Sequence, residues 1–275
     1  MIFQVTLGCS WNRCAFCEMY TSKSFRVRSE SEVLEEIQQT AQRMPQINRI
    51  FLADGNAMVL KTDRLLRTLA QLYENFPQLR RVTSYALPAD LERKTESELS
   101  ELQEAGLKMV YVGLESGDDE VLKRVGKGET AKSSLVGCEK ARSAGISLSV
   151  MILNGLGGKE LSRQHAEGSA KLVNAIQPEF LSTLVLSFPY GLDHFRKRLS
   201  HPFEPLQTEQ LIEEMGVFLA GIQLEKTVFR SDHASNYLVL KGTLNKDKEA
   251  LLAMINRALA QPEKVALREE WQRGL

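Results

Sequence analysis

Three of the four cysteines of this chain lie within residues 9–17, in Cys9-Ser-Trp-Asn-Arg-Cys14-Ala-Phe-Cys17. Three thiolates on one short loop can hold a single metal centre, and no histidine stands nearby to complete a four-ligand shell. Structural zinc usually takes four protein ligands. An iron-sulfur cluster takes cysteine thiolates, and with three of them it keeps one iron open to a small molecule. The fourth cysteine, Cys138, falls inside a helical pattern and reads as a small buried hydrophobe. Such clustering gives no framework of disulfides closing long loops and suits a reducing, cytoplasmic setting.

The elements that must position this loop follow from the pattern of apolar residues. Six β-rich runs, at 2–7, 49–53, 81–85, 109–114, 147–153 and 180–186, are bounded mostly by Gly, Pro, Asn or Asp and predict six buried parallel strands. Between them lie helical periods. Val33, Leu34, Ile37 and Ala41 share a face after the capping hydroxyls of Ser29 and Ser31, and Leu65, Leu66, Leu69 and Leu72 form a second such face. Further helices are expected around Leu99–Ala105 ended by Gly106, over 130–144 ended by Gly145, over 161–176, over 207–222 and over 247–259, with a short strand around Val228. Alternating strands and helices with right-handed crossovers predict an α/β fold, a partial (β/α)6 TIM-like barrel. Parallel strands place ligands at their carboxyl ends. There stand the cysteine loop, Asp54-Gly55-Asn56, Glu115-Ser116-Gly117 and the glycine turn of Gly155 and Gly157.

Composition excludes several classes. The 275 residues carry 35 Lys+Arg against 35 Asp+Glu, which gives no electrostatic excess for gripping phosphates, so there is no strong nucleic-acid signal. The 43% hydrophobic and 25% charged residues are those of a globular chain. No apolar run approaches the ~20 residues of a membrane span, so no membrane partner is expected. The opening MIFQVTLGC reads as a strand.

With its cysteine loop, the aromatic Phe16 before the third cysteine, and Gly113-Leu-Glu115-Ser116-Gly117 followed by Val121-Leu122 and Lys127-Gly128, the chain resembles the radical S-adenosylmethionine (SAM) superfamily over roughly residues 1–190. The subgroup it is most similar to includes methylthiotransferases, the tRNA-acetylating elongator subunit and oxygen-independent coproporphyrinogen oxidase. The resemblance implies a [4Fe-4S] cluster on Cys9, Cys14 and Cys17. It implies reductive cleavage of SAM to a 5'-deoxyadenosyl radical that acts on an unknown substrate, and an external one-electron reductant such as flavodoxin or ferredoxin. SAM would then meet Phe16, the Asp54-Gly55-Asn56 turn at its amine, Glu115 at its ribose, Lys127 at its carboxylate, and Gly155 and Gly157 along its adenine. A core at 1–190 and a C-terminal extension at 191–275 packed on the same domain follow from the extent of the resemblance.

Four residues separate Cys9 from Cys14 where the common motif has three, and Asp54-Gly55-Asn56 replaces the usual Gly-Gly-Glu. These features keep a second reading open, an iron-sulfur or zinc-binding relative that does not cleave SAM. A tRNA-modifying enzyme is a third, although 4 cysteines leave too few for a second three-cysteine cluster. The segment 229–237 is dense in hydrogen-bonding side chains, and Arg230, His233 and Asn236 are candidate substrate contacts on a loop that roofs the pocket. His165, His194 and His201 read as surface residues, and Arg196, Lys197 and Arg198 as a solvated basic face.

Overall fold

A computed structural model describes residues 1–274. In chain order the strands and α-helices are β1 (Ile2–Gln4), β2 (Thr6–Leu7), β3 (Arg26–Val27), α1 (Glu30–Arg43), β4 (Arg49–Ala53), α2 (Thr62–Asn75), β5 (Arg81–Ala86), α3 (Pro88–Arg93), α4 (Glu96–Glu104), β6 (Leu107–Glu115), α5 (Asp119–Arg124), α6 (Ala131–Ser143), β7 (Ser147–Asn154), α7 (Gly158–Ile176), β8 (Phe180–Val185), α8 (Leu192–Lys197), α9 (Thr208–Gly221), β9 (Thr227–Ser231), β10 (Leu240–Leu244) and α10 (Lys248–Ala260). Mostly parallel strands interleaved with helices make this the α/β, TIM-like succession expected.

Local chemistry sets the helix ends. Ser29 caps α1 by accepting from the Glu32 amide at 3.2 Å, while the Glu32 carboxylate accepts from the Ser29 amide at 2.8 Å, a reciprocal capping box. Thr95 and Glu98 repeat it on α4. Gly106 and Gly145, with φ of +107° and +78°, end α4 and α6 in the left-handed region that a side chain disfavours.

The chain divides into two compact units. The first comprises Met1–Asn12, Met19–Gly113 and Val136–Leu148. Its strands run in the order β1-β4-β5-β6, all parallel. The row Phe3, Leu52, Ser84 and Val110 is aligned by register and almost wholly buried. Leu65, Leu69 and Leu72 of α2 and Val33 and Ile37 of α1 are buried in the same unit, and Phe3 meets Phe76 at 6.0 Å. Burying each such side chain is worth about 1.5–3 kcal/mol.

The second unit comprises Arg13–Glu18, Leu114–Leu135 and Ser149–Leu275, of which residues to 274 are described. Here β7, β8 and β9 are parallel and β10 returns antiparallel on β9. Leu211, Ile212, Met215, Phe218 and Leu219 form the buried side of α9.

Three expectations are corrected. The expected strand at 2–7 is two strands: the Val5 amide still donates to Ala53 O, but Thr6 and Leu7 turn to pair antiparallel with β3. β9 is the short strand expected around Val228, but β10 was not expected, and with it the main strands number eight among the described residues. Phe229, Arg230 and Ser231, at the start of the loop expected over 229–237, are strand residues of β9.

Candidate cofactor site

In the first unit, the segment carrying Cys9 is held by the turn after β4. Asp54 Oδ2 accepts from the Gly8 amide and from Lys23 Nζ, each at 3.1 Å. Asn56 Oδ1 accepts from the Ser10 amide at 3.0 Å, and its Nδ2 donates to Ser10 Oγ and to Asp90 Oδ2, both at 2.8 Å. Cys9 is thus flanked by two fixed amides. Gly55 between the anchors is required by packing: a Cβ there would lie 2.5 Å from Cys9 Cα. The space that its missing side chain opens is filled by the backbone of Cys9. Burial pushes the Asp90 carboxyl above the usual aspartate range, against the pull of its hydrogen bonds from Asn56 and the Leu87 amide.

In the second unit, Cys14 and Cys17 sit on a segment tied down through its backbone. The Ala15 amide donates to Val125 O at 2.8 Å, and the Cys17 amide to Cys14 O at 3.2 Å. Arg198, directly after α8, donates to Cys14 O at 2.9 Å, to Cys17 O at 3.2 Å and to Glu18 Oε1 at 2.8 Å. His194 Nε2 lies 3.2 Å from the same Glu18 oxygen. The solvated basic face expected at 196–198 is therefore wrong at Arg198: its planar fork binds the two carbonyls of the cysteine segment. Below the segment, Ala15 is buried with Val121, Val125, Leu156, Phe195 and Phe203, and Phe16 packs on that cluster. Gly126, at φ +67°, lets Arg13 O come within 3.0 Å of where a Cβ would stand.

Glu115 closes β6 in the left-handed region, at φ +65°, and its Oε1 accepts from Lys127 Nζ at 3.2 Å. Both side chains are buried, 7% and 5% exposed, so neither is the solvated group its type suggests. Burial pulls the Lys127 ammonium down, but the charge of Glu115 and then of Cys14 outweighs it and leaves Lys127 above the ordinary lysine value. The ammonium also stands 6.0 Å from the centre of the Phe16 ring.

Behind this pair lies a network that the sequence did not disclose. Ser116 Oγ meets His165 Nδ1 at 2.8 Å and accepts from the Asp118 amide at 3.0 Å. Ser169 Oγ accepts from the Gly117 amide at 2.9 Å. Glu214 accepts from the Gly155 amide and from Ser162 Oγ, both at 2.6 Å, and lies 3.8 Å from His165 Nε2. His165 is 1% exposed, which corrects its reading as a surface residue: Leu161, His165 and Ser169 recur every four residues on the buried side of α7. That spacing was the available signal. At Gly155 a Cβ would meet Leu211 Cδ2 at 2.8 Å, and at Gly157 it would meet Leu161 backbone at 2.9 Å, so both glycines serve packing against α9 and α7.

Of the residues in the 229–237 segment, Arg230 is exposed and aligned in register with Ser182 and Lys241. His233 and Asn236 already have partners: His233 Nδ1 lies 2.9 Å from Ser235 Oγ within the loop, and buried Asn236 donates from Nδ2 to Thr183 O of β8 at 2.9 Å. Arg268 straps the loop by donating to His233 O and Asn236 O at 2.6 and 3.0 Å.

The donor chemistry suits a cluster. Cys9, Cys14 and Cys17 are in no disulfide and partly exposed, whereas Cys138 is fully buried, as expected of a packing residue. Among the described residues no three His, Cys, Asp or Glu side chains converge as tightly as one metal ion requires. A cubane cluster spreads its ligating sulfurs wider than a single ion does.

Known proteins resemble this chain in sequence and in fold. Residues 3–173 match the family model of the Radical SAM superfamily. The heme chaperone HemW of Bacillus subtilis (strain 168) is 24% identical over 158 residues, 57% of this chain and 41% of HemW, so the chain spans less than half the length of that relative. Among solved structures, coproporphyrinogen III oxidase (HemN) of Escherichia coli superposes with a TM-score of 0.59 at 16% identity, covering 80% of this chain and 51% of HemN. Methylornithine synthase (PylB) does so with a TM-score of 0.55 at 14% identity, covering 81% and 63%. These structural likenesses show the fold. No helix among the described residues is long and apolar enough to cross a membrane. With its residues 3–173 matching the family model, the chain belongs to the radical SAM superfamily.

Proposed function

We propose that the chain is a radical SAM enzyme that holds a [4Fe-4S] cluster on Cys9, Cys14 and Cys17. The observation that carries this is the loop itself: three cysteines in no disulfide, with the amides beside Cys9 held by Asp54 and Asn56 and the carbonyls of Cys14 and Cys17 held by Arg198. Loaded with SAM and reduced by a one-electron donor such as flavodoxin or ferredoxin, such a cluster supplies carbon-sulfur cleavage to methionine and a 5'-deoxyadenosyl radical. The chain's own residues bind and orient. Glu115, fixed at the end of β6 by Lys127, presents carboxylate oxygens to ribose hydroxyls. Lys127, already close enough to feel the charge of Cys14, adds a fixed positive charge for the SAM carboxylate. Phe16 adds an apolar surface that excludes water. Arg230, exposed on β9, is the substrate contact that this reading favours.

The test is anaerobic reconstitution followed by reduction with SAM present. About four irons per chain are expected, with 5'-deoxyadenosine formed by the native chain and neither cluster nor product in Cys14→Ala. A full cluster without 5'-deoxyadenosine would establish the non-cleaving alternative instead. The likeness to a heme chaperone supports a second reading, in which the chain carries heme, and a heme titration showing stoichiometric binding would distinguish it.

A further inference from the structure

One face of the first unit's sheet carries an aromatic cluster that neither the cysteine anchors nor the helices use. Phe51 of β4, Tyr85 of β5 and Tyr111 of β6 touch one another in pairs, with ring centres 4.7, 5.5 and 6.1 Å apart and mostly edge-on. Tyr85 is 42% exposed and Ile2, the register partner of Phe51, is 61% exposed. A half-exposed cluster of aromatic rings marks a binding surface, and the phenol groups of Tyr85 and Tyr111 give it a polar rim.

The same face carries charge at its other end. By the two-residue period of a strand, Arg49 lies on the side of Phe51, and Arg81 on the side of Tyr85. Arg49 and Arg81 are partners in register, so two guanidinium-bearing side chains stand side by side. Neither has an ion-pair partner among the described residues. Like charges opposite one another in a sheet destabilise it, and an anion bound between them removes that cost. At the opposite end β4 runs from Arg49 to Ala53 and is followed by Asp54, which holds the Gly8 amide beside Cys9. From Arg81 to Tyr85 the strand advances about 13 Å.

We propose that this face binds a planar aromatic anion, its ring against Phe51, Tyr85 and Tyr111 and its carboxylate or phosphate between Arg49 and Arg81. This assigns a substrate class and rests on the enzyme reading above: the ligand's uncharged end then points toward Asp54 and the cysteine loop. A doubly or singly charged terminus suits two forked guanidiniums, which bind either group bidentately.

The experiment is calorimetric titration of the reconstituted full-length chain with 2-naphthoate, 2-naphthyl phosphate and the uncharged isostere 2-naphthamide. At least one anion should bind with one-to-one stoichiometry and about tenfold more tightly than the amide, a difference of about 1.4 kcal/mol, and the tighter of the two identifies the anionic group. Arg49→Gln combined with Arg81→Gln should abolish that preference while leaving amide binding as it was. Tyr85→Ala should weaken all three ligands alike. Equal affinity for acid and amide in the native chain, a preference that survives loss of both arginines, or no binding of any of the three would overturn the proposal. SAM cleavage measured on the same sample separates the two readings. Cleavage without anion preference overturns only the substrate class, and anion preference without cleavage supports the site and removes the enzyme reading.

Discussion

Glu115 and Lys127 show how far a residue's meaning depends on what surrounds it. Each alone reads as a solvated charge, but together they are buried and joined at 3.2 Å. Removing one member of such a pair strands the other in a medium that solvates it poorly. Lys127→Gln should therefore cost about 3–5 kcal/mol in denaturant unfolding, and the double change with Glu115→Gln should restore most of it. Asp90 gives a prediction in pH. Its carboxyl is held above the ordinary value of 3.8, chiefly by burial. The folded state therefore binds the proton more tightly than the unfolded chain does, and stability falls as pH rises from 3.8 through the raised folded value. Urea unfolding at about pH 4 and about pH 7 should show the native chain losing stability relative to Asp90→Asn across that interval. A constant gap would remove the claim. Neither partnership is legible along the chain, because the pairs are separated by 12 and 34 residues and are joined by the path of the backbone.

At the scale of elements, the short helices matter more than their length suggests. The six-residue helices α3, α5 and α8 hold too few turns for a periodic apolar signal and escaped detection in the sequence. Yet α3 supplies Asp90 to Asn56, and α8 delivers Arg198 to the carbonyls of Cys14 and Cys17. Because Arg198 satisfies those carbonyls and Glu18 together, Arg198→Ala should lower iron retained after reconstitution by about half or more, from the loss of charge-assisted hydrogen bonds worth roughly 1.5–3 kcal/mol. Arg198→Lys, which keeps the charge but not the fork, should recover only part. Iron content and the electron paramagnetic spectrum of the reduced protein would report both. Unchanged iron and spectrum in Arg198→Ala would show that the cysteine segment keeps its shape unaided. The long helices were legible for the opposite reason: the capping box of Ser29 and Glu32, the apolar stripe of Val33 and Ile37 and the closing Gly106 of α4 are local signals, decided within a few residues.

At the scale of the whole molecule, alternating apolar runs and helical periods determined by themselves that the fold is α/β with parallel strands, and the cysteine spacing determined that a loop of three closely spaced thiols follows the first of them. Both depend on residue type and on separations along the chain, which a sequence displays directly. Tertiary structure decided which side chains serve that loop. It joined Asp54 and Asn56 to the amides beside Cys9, moved His165 from the expected surface into a buried network with Ser116 and Glu214, and placed Phe51, Tyr85 and Tyr111 on one face. It also set the register that puts Arg49 beside Arg81. Such long-range pairings depend on how strands align and helices pack, and a shift of one residue would send each side chain to the opposite face of its sheet.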